Sequence, residues 1–141
     1  MLMLSLAACA DEPRVEIIGR DGAYHAVIKV EIANTVSSRE IGLMYRSHMD
    51  ENAGMIFVFQ EPQHLTFWMK NTEIPLDMIF ADANGKIIGM VENAVPFSEQ
   101  MLAVNGDSLY VLEVNGGFAK RHAIAVGDTM KFAGFVPHAE D

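Results

Sequence analysis

The sequence predicts a mainly β fold: about eight largely antiparallel strands closing as a jelly-roll-like sandwich or a barrel, with one or two short helices. Three observations carry this expectation. Apolar and polar residues alternate from Ala26 to Ile32, the period of two expected of a half-buried strand. Met55-Ile56-Phe57-Val58-Phe59 is a continuous apolar run, as in a strand buried on both faces. Asp21-Gly22 and Asn84-Gly85 are dipeptides that supply the positive φ a tight hairpin needs. No alternation of strands and helices is visible, which argues against a doubly wound nucleotide-binding fold. At 141 residues, 50% of them hydrophobic, the chain can build one packed core. The expected organisation is a short leader and tether over 1–12 and a single domain over 13–141.

Val15 to Ile18 reads as the first strand, followed by a turn at Gly19-Arg20-Asp21-Gly22 and the alternating strand. The period then changes. Ser37-Ser38-Arg39-Glu40 fits a capping box, and Ile41, Met44 and Tyr45 follow at helical spacing, so a helix is expected from about Ser38 to Arg46. After the Met55–Phe59 strand, Gln60-Glu61-Pro62-Gln63 turns the chain. Leu65, Phe67 and Met69 then alternate with Thr66, Trp68 and Lys70, which suggests a further strand ending at the Ile74-Pro75 bend. Leu76–Ala81 and Lys86–Glu92 flank the Asn84-Gly85 turn as a hairpin. Asn93 to Ser108 reads as a long irregular loop, Leu109–Val114 as a strand, Phe118–His122 as one helical turn, and Thr129–Phe132 as the last strand.

Ten Lys and Arg face nineteen Asp and Glu, a formal charge of −9. That charge opposes a phosphate backbone, so nucleic acid is not an expected partner. The single cysteine, Cys9, excludes an internal disulfide and a multi-cysteine metal site. Leu6-Ala7-Ala8-Cys9 resembles a bacterial lipoprotein processing site, although no basic residue precedes it and the leader reads as truncated. An exported protein, periplasmic or anchored through lipid on Cys9, is the resulting expectation. The five histidines (His25, His48, His64, His122 and His138) show no paired ligand spacing, and the methionines read as packing, so neither a metal nor a cofactor is implied.

The most distinctive stretch is Phe67-Trp68-Met69-Lys70-Asn71-Thr72, followed by Ile74-Pro75-Leu76-Asp77. Together with Arg39, Gly42-Leu43-Met44, Arg46, Gly54-Met55-Ile56-Phe57, Phe59, Glu92-Asn93-Ala94, Pro96, Tyr110-Val111-Leu112-Glu113, Gly116-Gly117 and Gly127-Asp128, it resembles the family called domain of unknown function 192. The resemblance runs from about Arg14 to Phe135. It implies a small β-rich domain, often exported in prokaryotes, and supplies no catalytic residue set.

The residues themselves suggest a ligand site. Trp68 offers a stacking face, while Lys70, Asn71 and Asp77 could bind hydroxyls or a carboxylate of a small polar or saccharide ligand. Arg39 and Glu113 are expected to support them. In the competing structural reading, Trp68 fills the core and Lys70 pairs with Asp77. Glu113 lies on an apolar strand face and needs a partner, for which Lys70, Arg39 and Arg46 are candidates. A non-catalytic binding module of the cell envelope is therefore the leading expectation. An envelope hydrolase using Asp77 and Glu113 across a sugar is the first alternative, and a purely structural interaction domain the second.

Overall fold

The computed structural model describes residues 11–141; Cys9 and the expected leader lie outside them. The elements in chain order are β1 (Arg14–Ile18), β2 (Tyr24–Ala33), α1 (Val36–Ile41), β3 (Ala53–Gln63), β4 (Leu76–Ala81), β5 (Ile87–Ala94), β6 (Ser108–Asn115), α2 (Phe118–Arg121) and β7 (Thr129–Ala133). Among the described residues they form a seven-stranded sheet in the order β5-β4-β6-β3-β2-β1-β7. The expected eight strands of a sandwich or closed barrel are replaced by a single curled sheet, a half-barrel. Its two edge strands meet at one end. Lys86 bridges Thr129, and the Ile87, Gly127 and Met130 amides donate to the carbonyls of Asp128, Ile87 and Gly85.

Most pairings are antiparallel, as the short links require. The exception is β2 with β3, which run parallel across α1 and the following loop. The sequence conceals this crossover, because its helix is only six residues long and carries no buried residue.

The missing strand is the stretch from Leu65 to Lys70. It makes a single two-way bridge, with Phe67 and Leu102 exchanging amide-to-carbonyl bonds of 2.9 and 2.7 Å. Its alternation is real: Leu65 and Met69 are buried, Thr66 and Trp68 exposed. The cause differs from the one expected. β3, β4 and β6 already have a neighbour on each side, so no ladder position is free and the segment lies extended across the face of the sheet.

The period of two divides each central strand between two apolar clusters. Ile56 and Val58 of β3, Ile79 and Ala81 of β4, and Leu112 and Val114 of β6 pack inside one cluster with α2. Met55 and Phe57, Met78 and Phe80, and Val111 pack into the other, under Leu43, Leu65, Met69 and Ile74. A continuous apolar run is what such two-sided burial demands.

Local chemistry explains the turns. The Asp82 side chain accepts the amides of Asn84 and Lys86, and Gly85 takes φ +80° in the β4–β5 hairpin. The α1 cap is shifted from its expected position. Thr35 is the N-cap: its Oγ1 accepts the Ser38 amide at 3.0 Å, and the Ser38 hydroxyl returns to the Thr35 amide at 2.9 Å. The helix ends at Gly42, φ +49°, so Met44 and Tyr45 lie in the loop beyond it.

Candidate functional site

Glu113 is the residue around which a site is built. It stands on β6, directly opposite Met55 of β3 and Met78 of β4. All three point into the cluster beneath α1 and the 64–75 segment, and Glu113 is only 4% exposed. No hydrogen bond or ion pair reaches its carboxyl from the described residues. Burial alone therefore acts on it, pushing its pKa from an ordinary 4.5 up to about 8. The group is mostly a neutral acid at pH 7.

Above Glu113 opens a cavity of about 290 Å³. β3 supplies Phe57 and Phe59, the 64–75 segment supplies Thr66, Phe67 and Trp68, and α1 with its C-terminal turn supplies Arg39, Glu40 and Leu43. Phe67 is the wedge that fixes the aromatic wall. Its ring stands edge-on to Phe57 at 5.2 Å, Phe59 at 6.2 Å and Phe80 at 5.8 Å. Trp68, 37% exposed, stands at the mouth. Trp68 does not fill the core as the structural reading expected: the alternation that buries Leu65 and Met69 turns Trp68 outward.

The cations expected to meet Glu113 have other partners. Arg39 donates to the Val58 carbonyl at 3.0 Å and to the Asp141 main-chain oxygen at 2.8 Å, and its guanidinium carbon lies 5.0 Å from the centre of the Phe59 ring. Arg46 pairs in a fork with Glu31. Lys70 Nζ sits 5.0 Å from the Trp68 ring centre. None of the three pairs with Glu113.

Asp77 belongs to a different place. Neighbouring residues on a strand face opposite ways, and Asp77 faces α2 beside Val114. It is fully buried. One oxygen accepts the amides of Asn93 at 2.8 Å and Gly117 at 3.1 Å, and the other accepts that of Ala119 at 2.9 Å. Gly117 is the N-cap of α2 and has no side chain to cap with, so Asp77 caps the helix from a distant strand. The expected Lys70–Asp77 ion pair does not form, because three amides already hold the carboxylate.

Asn71 supports the site from outside. It adopts φ +53°, its side-chain amide donates to the Tyr45 hydroxyl at 3.0 Å, and its carbonyl accepts the Tyr45 amide at 2.9 Å. Tyr45 itself has φ 65° and is 78% exposed. Of the six residues singled out in the sequence, Arg39, Trp68 and Glu113 line the cavity, Lys70 abuts Trp68, Asn71 shapes the adjoining loop, and Asp77 is elsewhere. Phe57, Phe59 and Phe67 also line the cavity, and the sequence does not mark them as site residues. Their spacing announces only that they are buried, and burial looks the same in a core and in a cavity wall.

The family model for domain of unknown function 192, described as an uncharacterized ACR family, matches residues 17–132. The chain belongs to this family. Two solved structures agree with the match. A protein of Sinorhizobium meliloti 1021, provisionally described as a transcription regulator, is 42% identical over 89% of this chain and 97% of its own, with a TM-score of 0.83. A protein of unknown function from Novosphingobium aromaticivorans DSM 12444 is 40% identical over 84% of this chain and 83% of its own, with a TM-score of 0.79. No curated protein matches the chain. Within this DUF192 domain, the Phe67–Asp77 signature divides its work: its first half walls the cavity, and its end, Asp77, caps α2.

Proposed function

We propose that this DUF192 domain is a non-catalytic binding module whose ligand site is the cavity over Glu113. One observation carries the reading: a buried carboxyl, without a partner among the described residues, lies at the floor of a cavity walled by aromatic rings. A buried polar group is costly unless it is satisfied, and a ligand group reaching it would recover that cost. Phe57, Phe59, Phe67 and Trp68 favour a compact ligand with a large apolar surface, and Glu113 favours a single polar or charged group on it.

A two-carboxylate hydrolase fits less well. Asp77 and Glu113 face opposite sides of the sheet, and the oxygens of Asp77 are engaged by amides, so the two cannot flank one sugar. The provisional description of the Sinorhizobium protein as a transcription regulator does not carry over, since a net charge of −9 opposes direct contact with DNA. The Leu6-Ala7-Ala8-Cys9 motif supports placing the module in the envelope through a lipid on Cys9. Cys9→Ser would then move the protein from the membrane fraction to the soluble fraction.

The decisive experiment is a ligand-observed NMR screen of small ring compounds against the wild type and Trp68→Ala. Hits should lose at least about tenfold in affinity in the variant, while its melting curve stays close to that of the wild type, because Trp68 is partly exposed. Hits that bind the variant equally well, or a variant that fails to fold, would remove the cavity from consideration.

A further inference from the structure

We propose that this cavity takes a small organic ammonium ion, with Glu113 as its counter-ion and Phe57, Phe59, Phe67 and Trp68 as its walls. The proposal rests on the binding reading above and names the chemical class of its ligand.

Glu113 is a buried acid that no cation among the described residues faces. A buried carboxylate is the expensive half of an ion pair, stable when a cation completes it. The resident cations are committed elsewhere: Arg39 to Val58, Asp141 and the Phe59 ring, Arg46 to Glu31, and Lys70 to the Trp68 ring. Among the described residues no cation faces Glu113, which leaves that position for a cation from outside. Aromatic faces attract such ions, and two rings of this wall already do so with Arg39 and Lys70. The protein's overall charge of −9 would draw cations towards it.

The charged groups around Glu113 set the limits of the proposal. From α1 come Arg39 and Glu40, the first neutralised by Asp141 at 3.9 Å and the second acidic. β3 and β4 present only methionine, phenylalanine and leucine side chains to the cavity. The 64–75 segment brings Lys70, on the Trp68 ring. Binding has a defined proton balance. The protonated carboxyl gives its O–H proton to solvent, and the carboxylate that remains pairs with the ammonium. Because burial holds Glu113 near pKa 8, affinity for a permanent cation should rise up to about tenfold per pH unit below pH 8 and then level off.

The test uses three compact probes of similar bulk: tetramethylammonium, the neutral neopentyl alcohol and the anion pivalate. None of them titrates between pH 6 and 9. Trp68 is the only tryptophan, so its fluorescence reports occupancy at the mouth, and isothermal titration in two buffers of different ionisation enthalpy counts the released proton. Tetramethylammonium should bind at least about tenfold tighter than the alcohol, with proton release below pH 8, and pivalate should not compete. Glu113→Gln should lower tetramethylammonium affinity by about tenfold or more and abolish proton release, and should affect binding of the alcohol far less than binding of the cation. If that variant does not fold, the pH profile of the wild type decides instead. Equal or tighter binding of the alcohol or pivalate would overturn the ammonium assignment and leave the cavity standing as a site. If none of the three perturbs Trp68 or releases heat, both the assignment and the cavity reading fall.

Discussion

Glu113 and Asp77 are both buried carboxyl groups, and their surroundings give them opposite roles. Asp77 accepts three backbone amides and ties β4 to α2 and to the end of β5. Asp77→Ala would strand all three donors, and each buried unpaired group costs about 1–3 kcal/mol, so a loss of at least about 3 kcal/mol is expected in urea denaturation. A loss below about 1 kcal/mol would mean that water reaches these amides. Glu113 has only burial acting on it, with a pKa near 8 in the folded protein against 4.5 in the exposed chain. Between those values the unfolded chain releases the proton and the folded chain keeps it. The stabilisation is therefore fully present below pH 4.5 and is lost as pH rises through about 8, at up to about 1.4 kcal/mol per pH unit. Glu113→Gln does not titrate, so its melting temperature should fall less than that of the wild type across this window. Parallel curves for the two proteins would show that the carboxyl is not held neutral. Little of this contrast is legible in the sequence, where Asp77 stands with Lys70 and Asn71 around the Ile74-Pro75 bend and reads as a ligand group beside them. Sequence neighbourhood says nothing of which sheet face a residue takes relative to a distant helix.

At the scale of elements, α1 and the 64–75 segment together make the roof of the cavity. α1 is short and has no buried residue, so its position depends on its ends and on Arg39. Its N-cap is Thr35 rather than Ser37, and that register points Arg39 at Val58 and Phe59. Its C-cap is Gly42, with φ +49° and ψ −127°, a conformation that residues with a Cβ disfavour. A Cβ there would also come within 3.1 Å of the Phe57 ring. Gly42→Ala should cost about 1–2 kcal/mol by thermal denaturation, from the backbone alone. An unchanged melting temperature would show that the turn relaxes into an ordinary conformation. The β4–β5 hairpin was legible to within a few residues, because Asp82, Asn84 and Gly85 form its turn through local bonds. The 64–75 segment was not. Its alternating burial follows from lying on an apolar surface, a pattern that a ladder strand shares.

Across the whole molecule, the sheet curls until β5 and β7, its first and last strands, touch at one end. The contact depends on Gly85. Its carbonyl accepts the Met130 amide at 2.7 Å, and a Cβ on it would stand 2.5 Å from the Met130 carbonyl oxygen. Gly85→Ala therefore strains the turn at φ +80° and pushes β7 away from the hairpin. The expected result is a loss of about 1–3 kcal/mol and faster hydrogen exchange at Met130 and Ile87, with β6 amides unaffected. Uniform exchange across the sheet would mean that closure and core open as one unit.

By itself the sequence determined a β-rich fold, the positions of most strands and the family, because strand period, turn residues and the Phe67–Asp77 signature are local patterns. It also determined that Glu113 sits on an apolar face. Only the tertiary structure decided that β2 and β3 run parallel, that the signature crosses the sheet instead of joining it, and that Asp77 and Glu113 face apart. These depend on which strand edges are already paired and on which face each cluster occupies, quantities that arise only when distant segments meet.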